Sequence, residues 1–202
     1  EVRLNPNYTT RTLYSCSYLT HMYEAPYTLP GISRDGNWVS FGAPDDSGKW
    51  DLLFMHVKWG EPQRVPVHTL DPLFVAKISP NGDHILFGPP LSLVSSNGGD
   101  IKDVSAPNMG SFDWSADGSH INYVAFDPSP RPAVEFWGMR KDGTDRQLEW
   151  ADTLSQTMST NAFSCSPDGE SIAWFRVVSA ATELYTRNLK TGKERQLTFD
   201  KK

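Results

Sequence analysis

The phrase Ser-x-Asp/Asn-Gly occurs four times in this chain. The copies are Ser33-Arg34-Asp35-Gly36, Ser79-Pro80-Asn81-Gly82, Ser115-Ala116-Asp117-Gly118 and Ser166-Pro167-Asp168-Gly169. Each follows a large apolar residue or cysteine: Ile32, Ile78, Trp114 and Cys165. Each precedes an apolar run entered at Val39, Ile85, Ile121 or Ile172. Recurrence at intervals of several tens of residues marks a repeat architecture. Asp-Gly and Asn-Gly between apolar runs read as hairpin turns, because positive φ costs Gly and Asn little.

The runs after the four turns are 38–41, 84–87, 120–126 and 171–177, rich in residues suited to strands. A second strand signal follows in each unit, at 50–57, 91–95, 133–139 and 183–188. Glycines at Gly60, Gly98-Gly99, Gly143 and Gly192 then mark another turn, before short strands at 63–67, 101–105, 146–150 and 195–198. Four antiparallel strands per unit, repeated, predict a β-propeller in an all-β chain. A flat array of meanders would leave long strand edges exposed. The predicted blades span residues 27–70, 72–107, 110–150 and 160–199 of a single domain, 1–202. Residues 1–30 lack the phrase; alternation over 11–19 predicts an N-terminal half-blade.

Composition narrows the function classes. The net charge of −5 comes without a Lys/Arg cluster, so no nucleic-acid partner is expected. No apolar run has the ~20 residues that a transmembrane helix needs. No Gly-x-Ser-x-Gly, His-Glu-x-x-His, Walker loop or dinucleotide fingerprint occurs. The chain is therefore read as non-enzymatic, with no cofactor or metal. The two cysteines, Cys16 and Cys165, are too few for a zinc site. Cys165 replaces an apolar residue of the other units and reads as a buried thiol; a disulfide with Cys16 is the alternative for an extracytoplasmic protein.

The fourth unit carries Ser166-Pro167-Asp168-Gly169, Ile172-Ala173, Glu183-Leu184-Tyr185, Gly192 and Leu197-Thr198. The third carries Trp114-Ser115, Asp117-Gly118, Glu135-Phe136-Trp137, Gly143 and Arg146-Gln147-Leu148. These patterns resemble the TolB-like, WD40-like propeller repeat family, which also furnishes propeller domains of prolyl-oligopeptidase and tricorn type. The resemblance covers 27–199. It implies a module that binds a protein or peptide partner at its loop face or central funnel, in a periplasmic or extracellular setting. Two alternatives are the substrate-gating propeller of a larger serine peptidase and a metal-dependent, carbohydrate-active lyase propeller. Family rings usually hold six or seven blades. Four blades leave three readings open: a fragment, an uncommonly small propeller, or an arc completed by another copy.

Candidate site residues follow from strand order. The strand before each phrase is the innermost, so side chains alternating with the Ile/Trp/Cys position are candidates for the funnel: Lys77, Asp113 and Ser164. His84 and His120 fill a slot that holds Trp38 and Ser171 elsewhere, which suits a strand entry better than a ligand site. His56 and His68 lie near a turn and a blade junction. Asp45-Asp46 beside Ser47-Gly48 reads as a solvated turn. The Asp of each phrase is expected to cap its turn through backbone N–H groups. Trp38, Trp114, Trp137 and Trp174 are expected between blades. Trp50, Trp59 and Trp150 lie near strand ends; blade packing is the favoured reading, and an exposed ring serving as a stacking platform for sugar or peptide is the alternative. The sequon Asn7-Tyr8-Thr9 reads as a chance occurrence.

Overall fold

A computed structural model describes residues 30–33, 35–58, 61–69, 75–88, 90–127, 133–153, 163–166, 168–178 and 181–199. The expected N-terminal half-blade, Cys16, Asn7-Tyr8-Thr9, Trp59 and the side chain of His68 lie outside them.

The described residues form four antiparallel four-stranded sheets, each running in sequence order from one edge to the other. The first holds β1 (Gly31–Ile32), β2 (Trp38–Pro44), β3 (Trp50–His56) and β4 (Gln63–Thr69). The second holds β5 (Val75–Ile78), β6 (His84–Gly88), β7 (Ser92–Ser95) and β8 (Lys102–Asp103). The third holds β9 (Met109–Trp114), β10 (His120–Asp127), β11 (Ala133–Arg140) and β12 (Gln147–Asp152). The fourth holds β13 (Phe163–Cys165), β14 (Ser171–Val178), β15 (Ala181–Asn188) and β16 (Glu194–Gln196). These are propeller blades, and the all-β fold expected from the repeats is the fold observed.

Strand alternation sends successive side chains to opposite neighbours. Ile85 and Phe87 join Leu52, Phe54 and Trp50 in the core between blades one and two. Leu86, between them in sequence, joins Trp114, Ile121 and Met139 between blades two and three. Val124 and Phe136 meet Ile172 and Trp174 between blades three and four. The hydrophobic core is thus three interleaved slabs, one per blade junction.

Each junction also has polar stitches. The Ser40 hydroxyl donates to Ala76 O (3.0 Å), and Trp114 Nε1 donates to Lys77 O (2.9 Å). The third junction holds a buried ion pair. Arg176, on β14, donates to Asp152 Oδ2 of the preceding blade at 2.7 Å and to Glu194 Oε2 at 3.0 Å. Trp174 Nε1 shares Asp152 Oδ2 at 3.0 Å. The Arg176 guanidinium lies 4.2 Å from the Tyr185 ring centre.

The repeated phrase builds one hydrogen-bonded unit in all four blades. The motif serine hydroxyl donates to Oδ1 of the Asx residue: Ser33 to Asp35, Ser79 to Asn81, Ser115 to Asp117 and Ser166 to Asp168. The same serine oxygen accepts the N–H that opens the next strand, from Trp38, His84, His120 and Ser171. The Asx oxygen also accepts the N–H two residues onward, from Asn37, Asp83, Ser119 and Glu170. The expected Asx turn is therefore half of a relay that couples the turn to the start of the second strand.

Successive turns also rest on one another. Gly169 sits at φ 71°, and a methyl group there would lie 2.8 Å from Ala116 Cβ in the preceding turn. Glycine is required twice over, for backbone conformation and for room.

The relay makes the fold acid-sensitive. The Ser119 N–H, with the Ser115 and Ser119 hydroxyls, holds Asp117 at about 2, below the ordinary 3.8. Asp35 is lowered by the Ser33 hydroxyl and the Asn37 N–H, and Asp168 by the Ser166 hydroxyl and the Glu170 N–H. A carboxylate whose pKa is depressed by folding contributes stability above its unfolded pKa and loses it as pH falls through the folded value. The urea midpoint is therefore expected to fall between pH 4 and pH 2. An Asp117→Asn variant should fall less steeply in that window, since blade two already uses Asn81 in the same bonds. Equal slopes for wild type and variant would remove Asp117 from this account.

Trp50 is 6% exposed, inside the first core slab, so blade packing holds for it and the stacking alternative does not. Although it begins β3, its side chain turns toward the β4–β6 side, where the apolar side chains of blade two exclude water. Trp150 is half-buried, stacked on Phe136 with ring centres 4.7 Å apart and covered by Arg187 at 4.7 Å. Asp45 caps its own turn, accepting from Ser47 N at 2.8 Å and Lys49 N at 3.0 Å.

Candidate functional site

The first strands of adjacent blades run beside one another: β1 packs on β5, and β9 on β13. Their side chains split into two sets. Ile78 and Trp114 enter the cores, while the residues just before them, Lys77 and Asp113, stay partly exposed. The structure brings Lys77 and Asp113 together across the blade junction, Nζ to Oδ1 at 3.3 Å. Their side chains keep 29% and 22% of their exposure, so solvent or a ligand reaches both. A pair this wet contributes about 1 kcal/mol or less to stability.

Both residues are held from behind. The Lys77 carbonyl accepts the Trp114 indole N–H, which fixes β5 against β9. Asp113 Oδ1 accepts the Trp114 backbone N–H at 2.9 Å, so its carboxylate cannot swing freely. Ser164 occupies the same place on β13, exposed, opposite Ala173 of β14. The matching place on β1 is Gly31, which is buried. A side chain there would begin 2.2 Å from Ala76 O. The polar row therefore starts at blade two for a steric reason.

A further polar residue, Ser111, stands two residues before Asp113 on β9. Its hydroxyl is buried and makes no hydrogen bond. Buried polar groups without partners are uncommon in native proteins. The β9–β10 ladder shifts register between Tyr123 and Ala125, beside Ser111. Bulges of this kind re-aim side chains, and Gly110 in a strand-like run was the available sequence signal.

The described histidines His56, His84 and His120 do not converge. His56 Nδ1 accepts the Lys58 N–H at 3.2 Å, and its ring meets Trp38 edge-on at 5.1 Å. His120 is exposed and contacts the Ser119 hydroxyl at 2.7 Å. His84 is half-buried at the junction of blades two and three. Among the described residues no three His, Cys, Asp or Glu side chains are grouped to hold a metal ion. Among the same residues no helix is long and apolar enough to cross a membrane.

No family model and no curated protein sequence matches the chain. Solved structures do match its fold. An oligogalacturonate lyase in complex with manganese superposes with a TM-score of 0.63 at 15% identity, over 84% of this chain and 52% of its own. TolB from Acinetobacter baumannii gives 0.61 at 16% identity, over 85% and 43%. The acylaminoacyl peptidase of Pyrococcus horikoshii gives 0.54 at 16%, over 89% and 33%. The chain thus spans about half the length of the first and less of the other two. At such identities the likeness is one of fold, and that fold is the β-propeller shared by TolB, peptidase and lyase proteins.

Proposed function

We propose that the chain is a TolB-like binding module that receives a protein or peptide segment along the axial edges of its blades, at Lys77, Asp113 and Ser164. The observation that carries this reading is the Lys77–Asp113 pair, preset by Trp114 yet open to solvent. It presents a cation and an anion side by side, matching the alternating donors and acceptors of a peptide. A periplasmic or extracellular location accords with this reading.

A second reading is favoured by the outer face of blade four. Phe175 stands three residues after Ile172, as Val124 stands three after Ile121. Val124, opposite Phe136, is buried against blade four. Phe175, opposite Leu184, is 40% exposed, and Leu197 is 41% exposed. A face patterned for a neighbouring blade and left uncovered among the described residues suits docking to a further domain or a second copy, as in a gating propeller of a larger hydrolase.

One experiment separates the two. A displayed random-peptide library is selected on the full chain, and enriched peptides are re-measured on a Lys77→Ala/Asp113→Ala/Ser164→Ala variant and on Phe175→Asp. Axial recognition predicts about tenfold weaker binding to the triple variant and none of that loss in Phe175→Asp. Peptides lost only in Phe175→Asp move the site to the outer face. No enrichment, or binding unaffected by either variant, rejects peptide recognition.

A further inference from the structure

The junction of blades two and three gathers basic groups on the face of the chain that carries the Asx-Gly turns, apart from the axial row. On blade two, His84 lies opposite Ser95, Leu86 opposite Leu93, and Leu93 opposite Lys102. Directly opposed residues share a sheet face. Leu86 and Leu93 are buried against blade three, so His84 and Lys102 point toward that blade as well. Blade three answers with the turn after β11. Met139 is buried in the same core, and Lys141 follows two residues later. That turn is clamped onto blade two: a side chain at Gly143 would begin 3.5 Å from Val104 Cα, and Arg146 Nη2 donates to Ser105 O at 2.8 Å. Lys102 and Lys141 therefore flank one contact from its two sides.

Among the described residues neither lysine has a carboxylate within ion-pairing distance. Both are exposed. Burial and the neighbouring Lys141 push the His84 imidazole below its ordinary pKa, with Lys102 adding to this and Asp83 opposing it. The same end of blade two holds the Gly98-Gly99 turn, at φ 83° and 111°. Space is open on the side-chain side of both glycines, with no atom within 4 Å.

We propose that His84, Lys102 and Lys141 form an oxyanion site, open over the Gly98-Gly99 turn, for a ligand carrying a phosphoryl group or clustered carboxylates. Two exposed ammonium groups and one imidazole share this junction, and the glycines of the neighbouring turn leave room for a ligand to approach the backbone. A multivalent anion relieves the repulsion among them and gains charge-assisted hydrogen bonds.

The test is a titration of the full chain with inorganic phosphate and, separately, with citrate, at low ionic strength. The readout is the NMR signal of the His84 ring, with His120 as the internal reference. The site predicts saturable movement of His84, stationary His120, and affinity about tenfold or more weaker in Lys102→Ala/Lys141→Ala. Saturation by phosphate alone identifies a phosphoryl ligand, by citrate alone a polycarboxylate, and by both a site selecting charge. Movement that is linear, equal at His120, or unchanged in the double variant is general screening and overturns the proposal. No movement with either anion overturns it too.

Discussion

Replacing Arg176 by methionine is expected to lower the unfolding free energy by about 3–5 kcal/mol, the cost of breaking a buried ion pair from one side. Arg176 is 5% exposed and Asp152 is 2% exposed. The substitution removes the charged partner of Asp152 Oδ2 and leaves that oxygen with the Trp174 indole N–H. It also frees Glu194 Oε2 and removes the cation from the Tyr185 ring. Arg187 cannot substitute, because it is already engaged with Glu194 Oε1 at 2.9 Å and covers Trp150. Urea denaturation at neutral pH measures the loss. The double variant Arg176→Met/Asp152→Asn should recover part of it, since the remaining buried group is then neutral. A single variant within about 1 kcal/mol of wild type would show that the pair behaves as a surface ion pair. The cost is therefore expected at the third junction, although the visible chemistry of the axial row sits elsewhere.

Gly31→Ala is expected to cost about 3 kcal/mol, at the upper end of overpacking. The added carbon would lie 2.2 Å from Ala76 O, 2.8 Å from Ser40 Oγ and 2.9 Å from Lys77 Cα. Two of these are backbone atoms that no rotamer change can move aside. β1 must retreat from β5, and the retreat breaks the buried bond from Ser40 to Ala76 O. A buried carbonyl left without a partner costs about 1–3 kcal/mol by itself. The measurement is the urea midpoint of Gly31→Ala beside Lys77→Ala, which should differ little from wild type because the Lys77 pair is wet. An unchanged midpoint for Gly31→Ala would place β1 farther from β5 than the structure has it. A secondary consequence is a disturbed Lys77 backbone, and hence weaker binding at the proposed axial site.

How much of this was legible beforehand depends on whether a feature is local. The hairpin turns, their strands and their order within each blade follow from short-range rules, and the strand starts at Trp38, His84, His120 and Ser171 were readable to the residue. The Asp capping role was readable for the same reason: an Asx side chain reaches only its own turn. For Trp50 the sequence leaves blade packing and a stacking platform both open, because strand-end position says nothing about what a neighbouring blade places over it. The choice of Lys77, Asp113 and Ser164 as candidates rests on register alone, and register cannot tell that Lys77 and Asp113 touch while Gly31 is sealed. Ser111 was passed over because a bulge depends on how two strands align. The basic junction was invisible as a motif, since His84, Lys102 and Lys141 are scattered along the chain.

The amino-acid sequence by itself determined the blade: four turns of one chemistry, each specifying a hairpin through bonds that span at most five residues. Only the tertiary structure decided what the blades make together. It set which faces are buried, where Arg176 finds Asp152, and that the Ser-x-Asx-Gly turns stack on one another. The physical reason is that turn and strand preferences are short-ranged, whereas burial and ion pairing depend on distances between residues tens of positions apart.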